Sequence, residues 1–194
     1  VLSFRRLSPM NIYQIFTRLY GNPKHTNVPD GTYAENGCAK FNHFTAERLN
    51  RIRKFGFSHV WFTGVIEHAT QTDYSAQGIS VDHPWVVKGK AGSPYAIKDY
   101  FDVDPDLAES VPDRMAEFEA LLQRVHAAGL KFVLDFVPNH VARQYASDAA
   151  PQGQRDLGAD DDSEMAFSVR NNFYYCWGEP LHIDNFVSPT AAGY

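Results

Sequence analysis

The chain has 194 residues, 44% hydrophobic and 14% aromatic, which is enough to bury a core and suggests one domain rather than two. Its formal net charge of -5 and pI near 5.9 argue against a nucleic-acid partner or an anionic membrane surface, and its cations form no block beyond Arg51, Arg53 and Lys54. No apolar run approaches the roughly 20 residues of a membrane span. Val1 to Arg6 holds neither an initiator Met nor a secretory apolar stretch, as in a trimmed or processed chain. The two cysteines, Cys38 and Cys176, are too few for a disulfide framework; they read as free thiols, with pairing left open. The compartment stays open too, a secreted or periplasmic one being only slightly favoured.

The first element is the β-rich run Asn11 to Leu19, which reads as a buried strand ended by Tyr20-Gly21-Asn22-Pro23. A helix follows with Thr45 as N-cap, an apolar stripe of Leu49, Ile52 and Phe55, and Gly56 as its stop. His59 to Thr63 is a short apolar strand. Residues 65–110 lack periodicity and read as one long excursion, the kind of loop that carries function or is disordered. Ser110-Val111-Pro112-Asp113 opens a second helix, with Ser110 as N-cap and Asp113 as the acid of a capping box. Met115, Phe118, Leu121, Leu122 and Val125 line one face of it until Gly129. Lys131 to Val137 is a third strand. Residues 146–164, with Asp160-Asp161-Asp162, read as an exposed acidic loop rather than a cation site, and the aromatic stretch from Phe167 to Tyr194 as a small sheet or an irregular subdomain.

Strands alternating with helices predict a parallel α/β architecture, either a doubly wound sheet or a (β/α) barrel. The turn after the first strand has no Gly-rich phosphate signature, which counts against a dinucleotide fold. Barrels meet their substrates at the C-terminal ends of strands, and here those ends carry Tyr20-Gly21-Asn22, Glu67-His68 and Asp135 through His140. That pattern favours the barrel.

The richest stretch is Asp135-Phe136-Val137-Pro138-Asn139-His140, although Pro-Asn is also an ordinary turn signal. In the long excursion, Gly92-Ser93-Pro94-Tyr95-Ala96-Ile97-Lys98-Asp99-Tyr100 precedes Asp104-Pro105. Sugar rings stack their C–H faces on aromatics and need polar partners for their hydroxyls, and Tyr95, Tyr100, Trp85 and His140 offer that mixture. Loop aromatics that merely cover a barrel mouth are the blander alternative.

Both segments resemble the α-amylase family, glycoside hydrolase family 13. Residues 135–140 are similar to its Asp-x-Val-x-Asn-His signature at the third strand. Residues 92–105 resemble the segment where a Tyr is followed four residues later by an Asp and soon by Asp-Pro. The resemblance implies a partial (β/α)8 TIM barrel: the first three β/α units over residues 1–140, and the start of an inserted loop subdomain over 141–194. It implies that His140 hydrogen-bonds the sugar, Tyr95 stacks beneath it, Asp135 orients the site and Asp99 holds the Tyr95 loop. Asn139 matches a calcium-ligand asparagine, although calcium needs about six oxygen ligands and one Asn does not supply them.

The activity implied is retaining hydrolysis or transfer at α-glucosidic bonds of starch-like glucans, which needs two carboxylates about 5 Å apart. The family carries these on later strands, so the 194-residue chain alone is expected to be inactive. Glu67, Glu164, Glu179 and Asp184 sit in no fitting motif and read as surface or loop groups. A second reading is a non-catalytic carbohydrate-binding or scaffolding barrel. A third, a metal-dependent hydrolase using His68, Asp73, Asp82, His83 and His140, is disfavoured by the spacing of these residues. A barrel typically needs about 250 residues, so the isolated chain is expected to be poorly stable or to associate, with another copy or with the rest of the enzyme.

Overall fold

A computed structural model describes residues 9–178. Strand β1 (Ile12–Phe16) is shorter than expected, and only Ile15 within it is fully buried. One helical turn, α1 (Tyr33–Asn36), follows. It is fixed by reciprocal bonds in which Glu35 N donates to Thr32 Oγ1 and Thr32 N donates to the Glu35 carboxylate. Helix α2 (Ala46–Lys54) starts at Thr45, whose side chain accepts from Arg48 N. Leu49 and Ile52 are buried on it, whereas Phe55 stands at the C-cap and is 80% exposed, so the expected stripe is one residue too long.

Strand β2 (His59–Thr63) lies where expected. The excursion after it holds a hairpin instead of a structureless loop: β3 (Ile66–His68) pairs antiparallel with β4 (Ile97–Val103). Helix α3 (Arg114–Ala127) begins after a 3-10 turn at Val111–Asp113. Its capping acid is Glu117 rather than Asp113, since the Glu117 carboxylate accepts from Glu109 N and Ser110 N at 2.9 and 2.7 Å. Asp113 accepts instead from the Ser110 hydroxyl. Strand β5 (Lys131–Leu134) ends the regular structure, and among the described residues 135–178 are irregular.

The strands β1, β2 and β5 form a parallel sheet in that order, with α2 inside the first connection and the hairpin and α3 inside the second. Ile15, Val60, Phe62 and Phe132 pack on the helix side with Leu49, Ile52, Leu121 and Val125. Phe62 stacks on Phe132 at 4.5 Å and meets Phe44 edge-on at 5.2 Å. Each ring so enclosed contributes about 2–3 kcal/mol through removal from water. Arg124 ties α3 to the preceding layer by donating to Phe41 O and Phe44 O. The opposite face of the sheet brings Gln14, Trp61 and Val133 into register, and none of these is buried. No described helix is long and apolar enough to cross a membrane.

Candidate functional site

Two clefts receive the side chains singled out from the sequence. The first, about 650 Å³, opens past the ends of β1 and β2 and is lined by Gln14, Arg18, Thr63, Lys88 and Tyr95. Gln14 Nε2 donates to Thr63 Oγ1 at 3.0 Å, which fixes its amide across the two strands. Tyr95 is 45% exposed and sits on a tight turn: Ala96 N donates to Ser93 O, and Tyr95 N to Ser93 Oγ.

That turn is seated on the backbone just past β3. Gly92 has φ +73°, and a Cβ there would lie 1.7 Å from Ala69 O, so only glycine fits. Arg18 reaches the same turn from the end of β1, its Nη1 donating to Ala91 O and Gly92 O at 2.9 and 3.0 Å.

The second cleft, about 540 Å³, is lined by Tyr100, Phe136, Asn139, His140, Phe173 and Tyr174. The Tyr100 hydroxyl donates to Val137 O and, at 3.5 Å, to His140 O, binding β4 to the segment after β5. His140 is exposed, its Nδ1 lying 3.2 Å from Asn139 Nδ2. Tyr95 and His140 therefore line different clefts. Asp135 is half-buried just beyond β5; its backbone N–H donates to Phe62 O, and its carboxylate has no hydrogen-bond partner among the described residues. Trp85 stands on a 3-10 turn with its ring edge to His83.

Asp99 departs from its expected part. It is fully buried in β4 and accepts from Phe101 N, the Ser147 hydroxyl and Ala149 N at 2.7–2.9 Å. It therefore anchors residues 147–149 rather than the Tyr95 turn.

The hairpin gathers buried charge, and one member of it, Glu67, was expected in a surface or loop role. Glu67 is 1% exposed on β3, with both carboxylate oxygens unpaired among the described residues. Burial, then the Asp102 charge, pushes its pKa up to about 8. His68 Nε2 lies 3.2 Å from Asp104 Oδ2 without an aligned hydrogen bond, and burial lowers the imidazole pKa to about 4. Both are held in their neutral forms near pH 7. Lys98 meets Asp82 at 3.2 Å, both buried.

The residues of the metal-hydrolase reading do not converge. Asp82 pairs with Lys98, Asp73 caps Ser75 N, His83 accepts from Trp85 N, and His140 lies in the second cleft. Among the described residues no group of three or more His, Cys, Asp or Glu is placed to hold a metal. Asn139, the residue matched to a calcium ligand, has its side-chain amide beside the His140 imidazole. Asp161 in the acidic loop accepts from Asn172 N, Phe173 N and the Tyr175 hydroxyl, so it organises the loop. Glu164 is exposed as expected, while Glu179 and Asp184 lie outside the described residues. Cys38 is buried and Cys176 exposed, both as free thiols.

Gln14, Thr63 and Arg18 were missed by sequence reasoning. For Thr63 and Arg18 the available signal was their place at the end of β2 and just beyond β1, where a parallel sheet presents polar side chains; Gln14, in the middle of β1, carried none.

Residues 43–190 match the family model described as Alpha amylase, catalytic domain. The amino acid transporter heavy chain SLC3A1 of Mus musculus is 30% identical over 95 residues, covering 49% of this chain and 11% of its own. A cyclomaltodextrin glucanotransferase of Niallia circulans is 26% identical over 151 residues, covering 72% and 19%. The crystal structure of an alpha-amylase from Lactobacillus plantarum aligns at 28% identity and TM-score 0.46, covering 70% of this chain and 24% of that one. The chain thus spans about a fifth or less of the curated relatives it matches. With three quarters of its length inside one family's pattern, and a parallel α/β sheet beneath it, the chain belongs to the α-amylase catalytic-domain family.

Proposed function

We propose that the whole protein cleaves or transfers α-glucosidic bonds of starch-like glucans or oligosaccharides by a retaining mechanism, and that β1, β2 and β5 form the first arc of its (β/α)8 barrel. The observation that carries this reading is the family match over residues 43–190, which contains both Tyr95 and the 135–140 segment. The Gln14, Trp61 and Val133 face, exposed at Gln14 and half-buried at the other two, supports the barrel, because further strands would enclose it. In this reading residues 1–140 belong to the barrel and 141–194 begin an inserted subdomain, of which 179–194 lie outside the described residues.

Tyr95 supplies a flat ring for a sugar face, and His140 a hydrogen bond to a sugar hydroxyl. Asp135, half-buried just beyond β5 with a free carboxylate, orients polar groups of the site. Asp99 acts at one remove, by anchoring residues 147–149 behind the second cleft. No carboxylate among residues 9–178 is assigned as nucleophile or acid/base. Those groups belong to further strands, and the 194-residue chain by itself turns over nothing. Calcium enters no step.

The test is reducing-sugar release from maltooligosaccharides by the 194-residue chain and by its entire reading frame. Activity in the longer protein alone is expected, and activity in neither would overturn the enzymatic reading. A second reading, a barrel that binds sugar or a partner without catalysis, draws support from the relative named as a transporter heavy chain. Sugar binding without turnover in the longer protein would favour it.

A further inference from the structure

We infer that Arg18 is a positioning residue for Tyr95: it holds the 91–95 turn so that the Tyr95 ring stays in the first cleft. The inference rests on the reading of Tyr95 as a sugar-stacking ring. Arg18 is half-buried just past β1, with its guanidinium carbon 4.9 Å from the Phe16 ring centroid. That cation–π contact holds the guanidinium over the ring. A single nitrogen, Nη1, then donates to two successive carbonyls, Ala91 O and Gly92 O, which are 73 and 74 residues away in sequence. Charged donors make stronger bonds than neutral ones, and these two join the first strand to the turn.

The other side of the turn is held by shape. Gly92 lies against Ala69 O, and a Cβ at Gly64 would lie 2.8 Å from Pro94 Cβ. Ala69 N also donates to Ala96 O. The turn is therefore seated from β2 and β3 and pulled from β1 by Arg18. The bond to Ala91 O is exposed and that to Gly92 O part-buried, so water can replace both. Loss of Arg18 should loosen the turn and leave the fold intact.

The experiment uses the whole encoded protein as wild type, Arg18→Met, Arg18→Lys, Tyr95→Ala and the Arg18→Met/Tyr95→Ala double variant. Maltotriose affinity is measured by calorimetry, and amide exchange across residues 91–96 by mass spectrometry. Tyr95→Ala should weaken binding by about tenfold, the scale of one aromatic contact, and Arg18→Met by about as much. The double variant should bind no more weakly than Tyr95→Ala alone, because Arg18 acts through that ring. Exchange should quicken at 91–96 in Arg18→Met while α2 and α3 keep their rates. Arg18→Lys should recover part of the loss, since one ammonium can reach both carbonyls that a single nitrogen now serves. Additive losses, unchanged exchange at 91–96, or fast exchange throughout α2 and α3 would each overturn the inference. If wild type binds no sugar but exchange quickens only at 91–96, the positioning stands and the sugar reading falls.

Discussion

Arg114 clasps Asp102 where the hairpin meets α3: Nε lies 2.8 Å from Oδ2 and Nη2 contacts the same oxygen. Asp102 is 3% exposed and Arg114 16%, so the two partners differ in what happens when the other is removed. Arg114→Met strands a buried carboxylate beside Glu67, and such an uncompensated charge costs about 3–5 kcal/mol. Asp102→Asn leaves a guanidinium that can still turn toward water, and should cost about 1–2 kcal/mol. Urea denaturation of both variants checks this, and equal losses would contradict the asymmetry.

Glu67 gives the hairpin a pH dependence of known sign. Its carboxyl holds its proton up to about pH 8 in the folded protein, against an ordinary value of 4.5. The folded pKa is the higher one, so the folded state binds more protons between the two values. Stability is therefore full below about pH 4.5, falls as pH rises, and levels off above about 8, a loss on the order of a few kcal/mol. Glu67→Gln removes that loss. Denaturation midpoints of wild type and variant should diverge in the variant's favour from pH 5 to pH 9, and a constant gap would refute the assignment.

The contrast between α2 and β4 explains what sequence could and could not show. Thr45, the Leu49 and Ile52 spacing and Gly56 act within a few residues, so the helix is legible from local pattern alone. β4 reads Ile-Lys-Asp-Tyr-Phe-Asp-Val, and its charged residues argue against a buried strand. Each of them is compensated from elsewhere in the chain: Lys98 by Asp82, Asp99 by Ser147 and Ala149, Asp102 by Arg114. Those partners lie 12 to 50 residues away, beyond the few positions over which local pattern acts. The same limit hid Arg18, whose partners lie more than 70 residues away. Short motifs singled out Tyr95 and His140, but their placement in two separate clefts is set by the fold and no motif shows it.

Two glycines with positive φ should respond differently to alanine. Gly56, at φ +96°, has open space where a Cβ would go, so Gly56→Ala meets only backbone strain, about 1–2 kcal/mol. Gly92, at φ +73°, adds a collision with the Ala69 carbonyl, which is backbone and cannot swing aside. Gly92→Ala should cost several kcal/mol and displace the Tyr95 turn. Thermal melts of the two variants, with maltotriose affinity alongside, measure both effects. Similar melts would mean that the turn can move freely over β3.

The sheet among the described residues ends on β1 at one side and β5 at the other, both parallel strands with an unpaired edge. Ile12, Leu19 and Phe55 are exposed on or near the β1 side, and the Gln14, Trp61 and Val133 face is only partly covered. Open edges and uncovered apolar surface favour pairing with another chain. The 194-residue chain in isolation should therefore unfold in urea with a midpoint that rises with protein concentration, and should elute as more than one species on size exclusion. Lysine at Ile12 places a charge on the exposed edge, and Ile12→Lys should reduce the larger species. A sharp transition independent of concentration, from a single monomeric species, would mean that three strands and their helices suffice, and the association would have to be abandoned.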